Sequence, residues 1–418
     1  MNRLLLATLS ITIAAALVSA PARAQHEMHD MHAMPGMQHA MPMDRVATYL
    51  MSQVSGTGSN PAAAPMAMSM TESHGWMLMV HGAAFASAIS QSGRRGSDQL
   101  TSTNWLMGMA DRKLGPGHLM LRSMLSLEPL FMGQRGYPEL FQTGETAHGV
   151  ALVDRQHPHD FIMELAAEYA IDLGAQRIGY LYAAPVGDPA LGPVAYPHRS
   201  SALELPQATL AHHLQDSTHI ANSVVTVGIR SGAYGLGVSG FHGGEPDENR
   251  WDIDGGGIDS WSVRATWDPT PQWTAQLSTG HLVHPEALEE GNVQRTTASV
   301  TYATPQPDGE IATSLIFGRN DPSGADTNSV LVETNWRFAT VNYLTARAEF
   351  VDKDEILEGE VENVKALTIG YTRDVVRTEH FLGGIGGNVT MYGVPSPLQE
   401  AYGTRPLGFY AFARVRLQ

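Results

Sequence analysis

Between Gln25 and Asp44 the chain carries His26, His29, His32 and His39 together with Met28, Met31, Met34, Met37, Met41 and Met43. Thioethers are soft ligands and imidazole is borderline, so this mixture favours Cu(I), Cu(II) or Ag(I) over Mg2+ or Ca2+. A low-complexity tract can wrap such an ion without a preformed cage. Copper ions are therefore the expected ligands. Met66, Met68 and Met70 extend the same character into a linker over residues 55–73, rich in Gly, Pro, Ala, Ser and Met.

A second set of candidate ligands follows. Asp154-Arg155-Gln156-His157-Pro158-His159-Asp160 sets two imidazoles around a proline, and alternate residues of an extended segment share a face. Ala211-His212-His213-Leu214-Gln215-Asp216-Ser217-Thr218-His219 adds nitrogen and oxygen donors, and His242 opens an acidic, turn-rich stretch ending in Asp252-Ile253-Asp254. His157, His159, His212, His219 and His242 are the candidate ligands of a transition-metal site between loops. The same residues suit a second reading, a polar network folding two loops into a barrel lumen as a constriction, because buried polar loops need many hydrogen bonds. The acidic stretch suggests calcium, but EF-hand spacing is not met. Ser217 with His219, or Asp160 with His159, could be drawn as a hydrolytic pair. No G-x-S-x-G elbow is present, and an enzyme is not expected.

These loops need a scaffold. Residues 1–24 read as a secretory leader: Arg3, an apolar core from Leu4 to Val18, and the A-x-A site Ala22-Arg23-Ala24. Cleavage after Ala24 makes Gln25 the mature N-terminus. The chain has 42 Gly, 16% charged residues and no cysteine, which excludes disulfides and thiolate sites. Without Arg3 and Arg23 the mature chain holds 24 basic against 42 acidic residues, a net −18, and nucleic acid is not an expected partner. No later segment is long and apolar enough for a spanning helix.

From Gly75 onward apolar and polar residues alternate with period two. The clearest case is the C-terminus, where Phe409, Ala411, Ala413, Val415 and Leu417 make one face and Tyr410, Phe412, Arg414, Arg416 and Gln418 the other, with the arginines on the lumen side. Short turns near 114–116, 174–175, 231–232, 268–271, 305–309, 339–340 and 374–377 alternate with longer polar stretches near 91–99, 133–159, 185–218, 243–257, 284–293, 320–327, 352–361 and 393–406. Outer-membrane barrels connect their strands in this way. The expected fold is all-β, a transmembrane antiparallel up-and-down β-barrel of about 16 strands, within a range of about 12–18. It covers residues 74–418 and follows a disordered tract and linker over 25–73. Asp160 to Leu173 could equally be a helix. The seven tryptophans mostly fall near strand ends, as aromatic girdles do. A soluble propeller would show a repeat of roughly 40–50 residues, and none is seen.

Leader, tract and barrel together resemble the copper resistance protein B type of outer-membrane protein, the likeness lying in residues 25–44, for instance His26-Glu27-Met28-His29-Asp30-Met31-His32. That resemblance implies copper binding and tolerance. The blocks around His157, His198, His219 and Asp252 look like those of outer-membrane proteins with no assigned activity. The expected partners are outer-membrane lipid and lipopolysaccharide, the barrel assembly machinery, and periplasmic metal-handling proteins. A porin-like channel for small solutes is the alternative.

Overall fold

A computed structural model of the 418-residue chain describes residues 43–288, 291–322, 325–357 and 360–417. Residues 1–24, where a leader is expected, and the tract residues His26 to Met41 lie outside the described residues; Met43, half-buried, is within them.

Sixteen strands form a closed antiparallel barrel: β1 (Trp76–Gln91), β2 (Asp98–Leu114), β3 (Gly117–Leu125), β4 (Ile162–Gly174), β5 (Arg177–Gly187), β6 (Ala221–Ser231), β7 (Tyr234–His242), β8 (Ser260–Thr270), β9 (Trp273–Val283), β10 (Asn292–Gln306), β11 (Gly309–Asp321), β12 (Thr327–Phe338), β13 (Asn342–Leu357), β14 (Glu360–Arg377), β15 (Phe381–Gly393) and β16 (Leu407–Leu417). Each strand pairs with its neighbours in the chain, and β16 closes the ring on β1 from Gly408 opposite Gln91 to Arg416 opposite Ala83. The ambiguous Asp160 to Leu173 segment is strand β4.

Alternation sets the two faces. On β14, Leu367, Ile369 and Tyr371 are exposed while Thr368, Gly370 and Thr372 between them are buried. On β16, Phe409 and Val415 point outward and Tyr410, Phe412 and Arg414 inward, as the sequence pattern predicts. An apolar exterior around a polar interior is the membrane-barrel pattern. Trp261, Trp267, Trp273 and Trp336 are exposed on strands, whereas Trp105 packs in the interior against buried histidines.

Turns and loops alternate as expected, with two corrections. Residues 352–357 and 360–361 belong to strands and not to a loop. β13 and β14 extend past that point, pairing Asp352 with Asn363 and Lys353 with Glu362. Charged residues mimic a loop there because a hairpin standing beyond the lipid can be polar on both faces. The turn expected at 374–377 lies at 378–380, because β14 continues to Arg377 through an irregularity between Asp374 and Val376.

The linker expected through residue 73 is instead an ordered insert over its described part. α1 (Arg45–Met51) is capped by Asp44, whose carboxylate accepts from Val46 N and Ala47 N at 3.0 Å each. The same side chain reaches His118 Nε2 at 3.0 Å. The chain then enters the lumen: Gln53 donates to Glu168 at 2.9 Å, Ser55 to Asp188 at 2.6 Å, and Asn60 to the His198 carbonyl at 2.9 Å. It returns to the wall through the short strand Ser69–Ser73, paired with the start of β1. Asp44→Ala is expected to cost about 1 kcal/mol of local stability through the lost cap, read as faster amide exchange across residues 45–51.

Candidate metal centre

The long connections over 126–161 and 188–220, here loops two and three, do not stand above the barrel. Among residues 188–220 only Val194, Pro197 and Leu203 are not buried. Wall side chains hold loop three inside. Arg199 Nε donates to Glu333 at 2.6 Å, Arg347 Nη1 to the Ala208 carbonyl at 2.9 Å, and Arg414 Nη1 to Glu204 at 2.5 Å. Loop two lies against it, with Tyr137 Oη accepting from Ala208 N at 2.9 Å and Phe141 buried beside Leu210 and Leu214. The loops therefore fill the lumen where a constriction would only narrow it.

This infolding brings together His157, His159, His212 and His219 of the expected set. Ring centroids lie 6.0 Å apart for His157–His212, and 5.3 Å apart for both His212–His219 and His159–His219. His242 does not join them. Phe241 before it is fully buried, so the alternation of β7 turns His242 the other way, to the rim, where Nδ1 meets Asp259 at 2.8 Å. Its place is taken by His213, whose ring lies 5.7 Å from His157 and 5.2 Å from His212. His213 adjoins His212 in sequence, and only the short turn His212–Gln215 shows that both rings reach the cluster. Gly144 lies against it at φ +95°, and a Cβ there would sit 2.5 Å from the His213 ring. A residue other than glycine would be strained and would push the imidazole away.

Each imidazole is oriented by a partner. His212 Nδ1 meets Asp216 Oδ1 at 2.8 Å, and His219 Nδ1 donates to the Asp216 carbonyl at 2.8 Å. His157 Nδ1 donates to the Pro158 carbonyl at 3.1 Å, and its Nε2 lies 3.2 Å from Glu145. These bonds leave Nε2 of His157, His212 and His219 with its lone pair. Burial lowers the pKa of all three, that of His219 to about 3, so the rings are neutral near pH 7. Asp216, despite a burial that opposes ionisation, is held at about 2 by His212 and Arg199. His213 lies 3.4 Å from both Glu245 and Glu286; these carboxylates outweigh burial and raise its pKa. His159 donates to Glu128 at 2.9 Å, and Glu128 likewise outweighs burial.

Donor atoms of His157, His212 and His213 lie within 4.8 Å of one another, as do those of His213, Glu245 and Glu286. Tetrahedral zinc at 2.0–2.1 Å from nitrogen separates its donors by about 3.3 Å, so either set would have to contract to serve as a first coordination sphere. Two neutral imidazoles, His157 and His212, with His213, which gives up its proton on ligation, and carboxylates at the edge suit a borderline divalent ion such as Cu2+ or Zn2+. Glu245 and Glu286 come from the fourth and fifth loops and carry no ligand spacing in the sequence. At the rim, Asp247, Asp252 and Asp254 also gather, but Asp247 and Asp254 are tied by a backbone bond at 3.0 Å. Ser217, adjacent to the array, accepts from Arg295 at 2.8 Å.

No protein-family model matches the chain, and no curated protein is similar to it in sequence. Solved structures match its fold. The anion-selective porin from Comamonas acidovorans superposes with a TM-score of 0.53 at 12% identity, covering 82% of this chain and 99% of that one. Salmonella typhi OmpF in complex with daunomycin gives 0.52 at 9% identity, over 83% and 99%. Pseudomonas putida OprB gives 0.51 at 10%, over 81% and 94%. The likeness is one of fold.

Proposed function

We propose that the protein is an outer-membrane barrel that binds a transition-metal ion, copper first, in a filled lumen. The observation that carries this reading is the buried array of His157, His159, His212, His213 and His219, with three donors already within 4.8 Å. A hydrogen-bonded plug alone needs no such gathering of imidazoles. Copper(II) is the tightest of the first-row divalent ions at nitrogen and oxygen sites, and the Met/His tract is suited to the same element. The outer membrane is supported by the apolar exterior and the likeness to porin folds. On this reading the lumen sequesters or hands on the ion, with lipid and lipopolysaccharide around it and periplasmic metal-handling proteins as partners.

Copper(II) titration of the full chain, with the tract histidines replaced by Asn and methionines by Leu, tests the array. That chain is expected to bind one Cu2+ tightly. His157→Ala with His213→Ala should weaken it by about 100-fold or more, and Asp216→Asn by roughly 10–100-fold, as loss of an orienting partner does. Affinity that ignores all three substitutions refutes the site. If the tract substitutions alone leave affinity unchanged, the tract has no part in it.

A porin-like channel for small solutes is the second reading, favoured by the porin fold. Conductance across a planar bilayer separates the two.

A further inference from the structure

Next to the histidine array the interior turns to sulfur. The registers of β1, β2 and β3 set His81 opposite Met107 and Met107 opposite Met124, all three facing inward and almost fully buried. Met79 and Met109 pair in the adjoining row, and Met163 packs beside them. From loop three His198 Nε2 reaches Met124 Sδ at 3.1 Å, its ring 6.2 Å from that of His81.

Methionine is common core filling, and the methionines alone decide nothing. The imidazoles do. His81 is 1% exposed, and neither ring nitrogen has a hydrogen-bond partner among the described residues; His198 is as buried, and its Nδ1 is unpartnered too. Buried polar groups are ordinarily satisfied, so two unsatisfied imidazoles facing thioethers demand an explanation. Trp105 lies 5.2 Å from the His81 ring and 4.3 Å from that of His198, and an aromatic face attracts a cation. A small cavity lined by Met124, Met163, His198 and His219, and also by Glu164 and Asp188, adjoins the group.

We propose that His81, Met107, Met124 and His198 bind one soft monovalent ion, copper(I) or silver(I), at a site distinct from the histidine array. Thioether sulfur selects soft ions, and imidazole completes the set. All four donors are neutral, so a single positive charge is buried where a divalent ion would need anionic ligands. The site does not depend on the array binding metal.

Silver(I) in chloride-free buffer is the probe, added to the full chain carrying the tract substitutions above. Retained silver per folded chain is measured after gel filtration, folding being checked by the heat-modifiable electrophoretic mobility of barrels. One silver ion is expected to remain. His81→Phe with Met124→Leu should remove it, and the volume-conserving Met124→Leu alone should weaken it by about tenfold or more. His157→Ala with His213→Ala should leave it in place. Copper(I) on the same chain should show sulfur and nitrogen scatterers together in X-ray absorption. The proposal is overturned if no silver is retained, if the His81 and Met124 variants keep it, if only the His157 and His213 variant loses it, or if the copper shell holds nitrogen alone.

Discussion

Replacing residues 190–216 by a short Gly-Ser bridge is expected to raise single-channel conductance by about an order of magnitude, toward the aqueous channel that a 16-stranded barrel otherwise encloses. Loop three occupies that space almost without gaps. Leu191, Ala195, Tyr196, Ala202, Leu205 and Leu210 are each 5% exposed or less. Loop three is tied to the wall on several sides, by Arg347 from β13, Arg414 from β16, and Gln207 bonded to Asn388 of β15 at 3.0 Å. The intact chain should therefore conduct far less than an open porin of the same strand number. Planar-bilayer recording of both chains checks the pair of statements. Full conductance in the intact chain would mean that loop three leaves the lumen in the membrane, and would favour the porin reading.

Glu333→Ala is expected to destabilise the infolded loop by about 3–5 kcal/mol, the cost of stranding buried charge. Glu333 is fully buried and accepts from Arg199 at 2.6 Å, Ser201 at 2.8 Å and Arg347 at 3.0 Å. Removing the carboxylate leaves two guanidinium groups opposite no anion at that point. Replacing Arg199, Glu333 and Arg347 together by apolar residues of similar volume should cost far less, because desolvation and attraction are then removed together. Hydrogen exchange over residues 195–216 reads the difference. The single variant should lose protection there while the strands, whose backbone bonds close around the ring, keep theirs.

The two variants separate roles that the sequence leaves merged. The Asp154 to Asp160 and Ala211 to His219 blocks were open to both a metal site and a polar network. The arginine–carboxylate network fixes loop three in the lumen, and the imidazoles arrive on the loop it fixes. Positioning thus falls to Arg199, Arg347 and Glu333, and the ligand chemistry proposed above to His157, His212 and His213.

What the chain alone determined is everything that repeats locally. Side chains of a strand alternate whatever lies far away, so the sixteen strands, the inward Arg414 and the outward Phe409 and Val415 are legible residue by residue. The alternation of tight turns with free loops is legible for the same reason, since only one end of a barrel tolerates long connections. Locality fails at 352–357, where polar strand residues outgrow the lipid, and at 53–68, where an insert without a strand pattern is ordered by the interior around it. Tertiary structure decided which imidazoles meet. One residue of phase on β7 turns His242 away, and a single helical turn brings His213 in beside His212. Carboxylates about 30 and 70 residues further along the chain, Glu245 and Glu286, close around it. Such convergence depends on how loops cross a closed ring, and no window of sequence contains it.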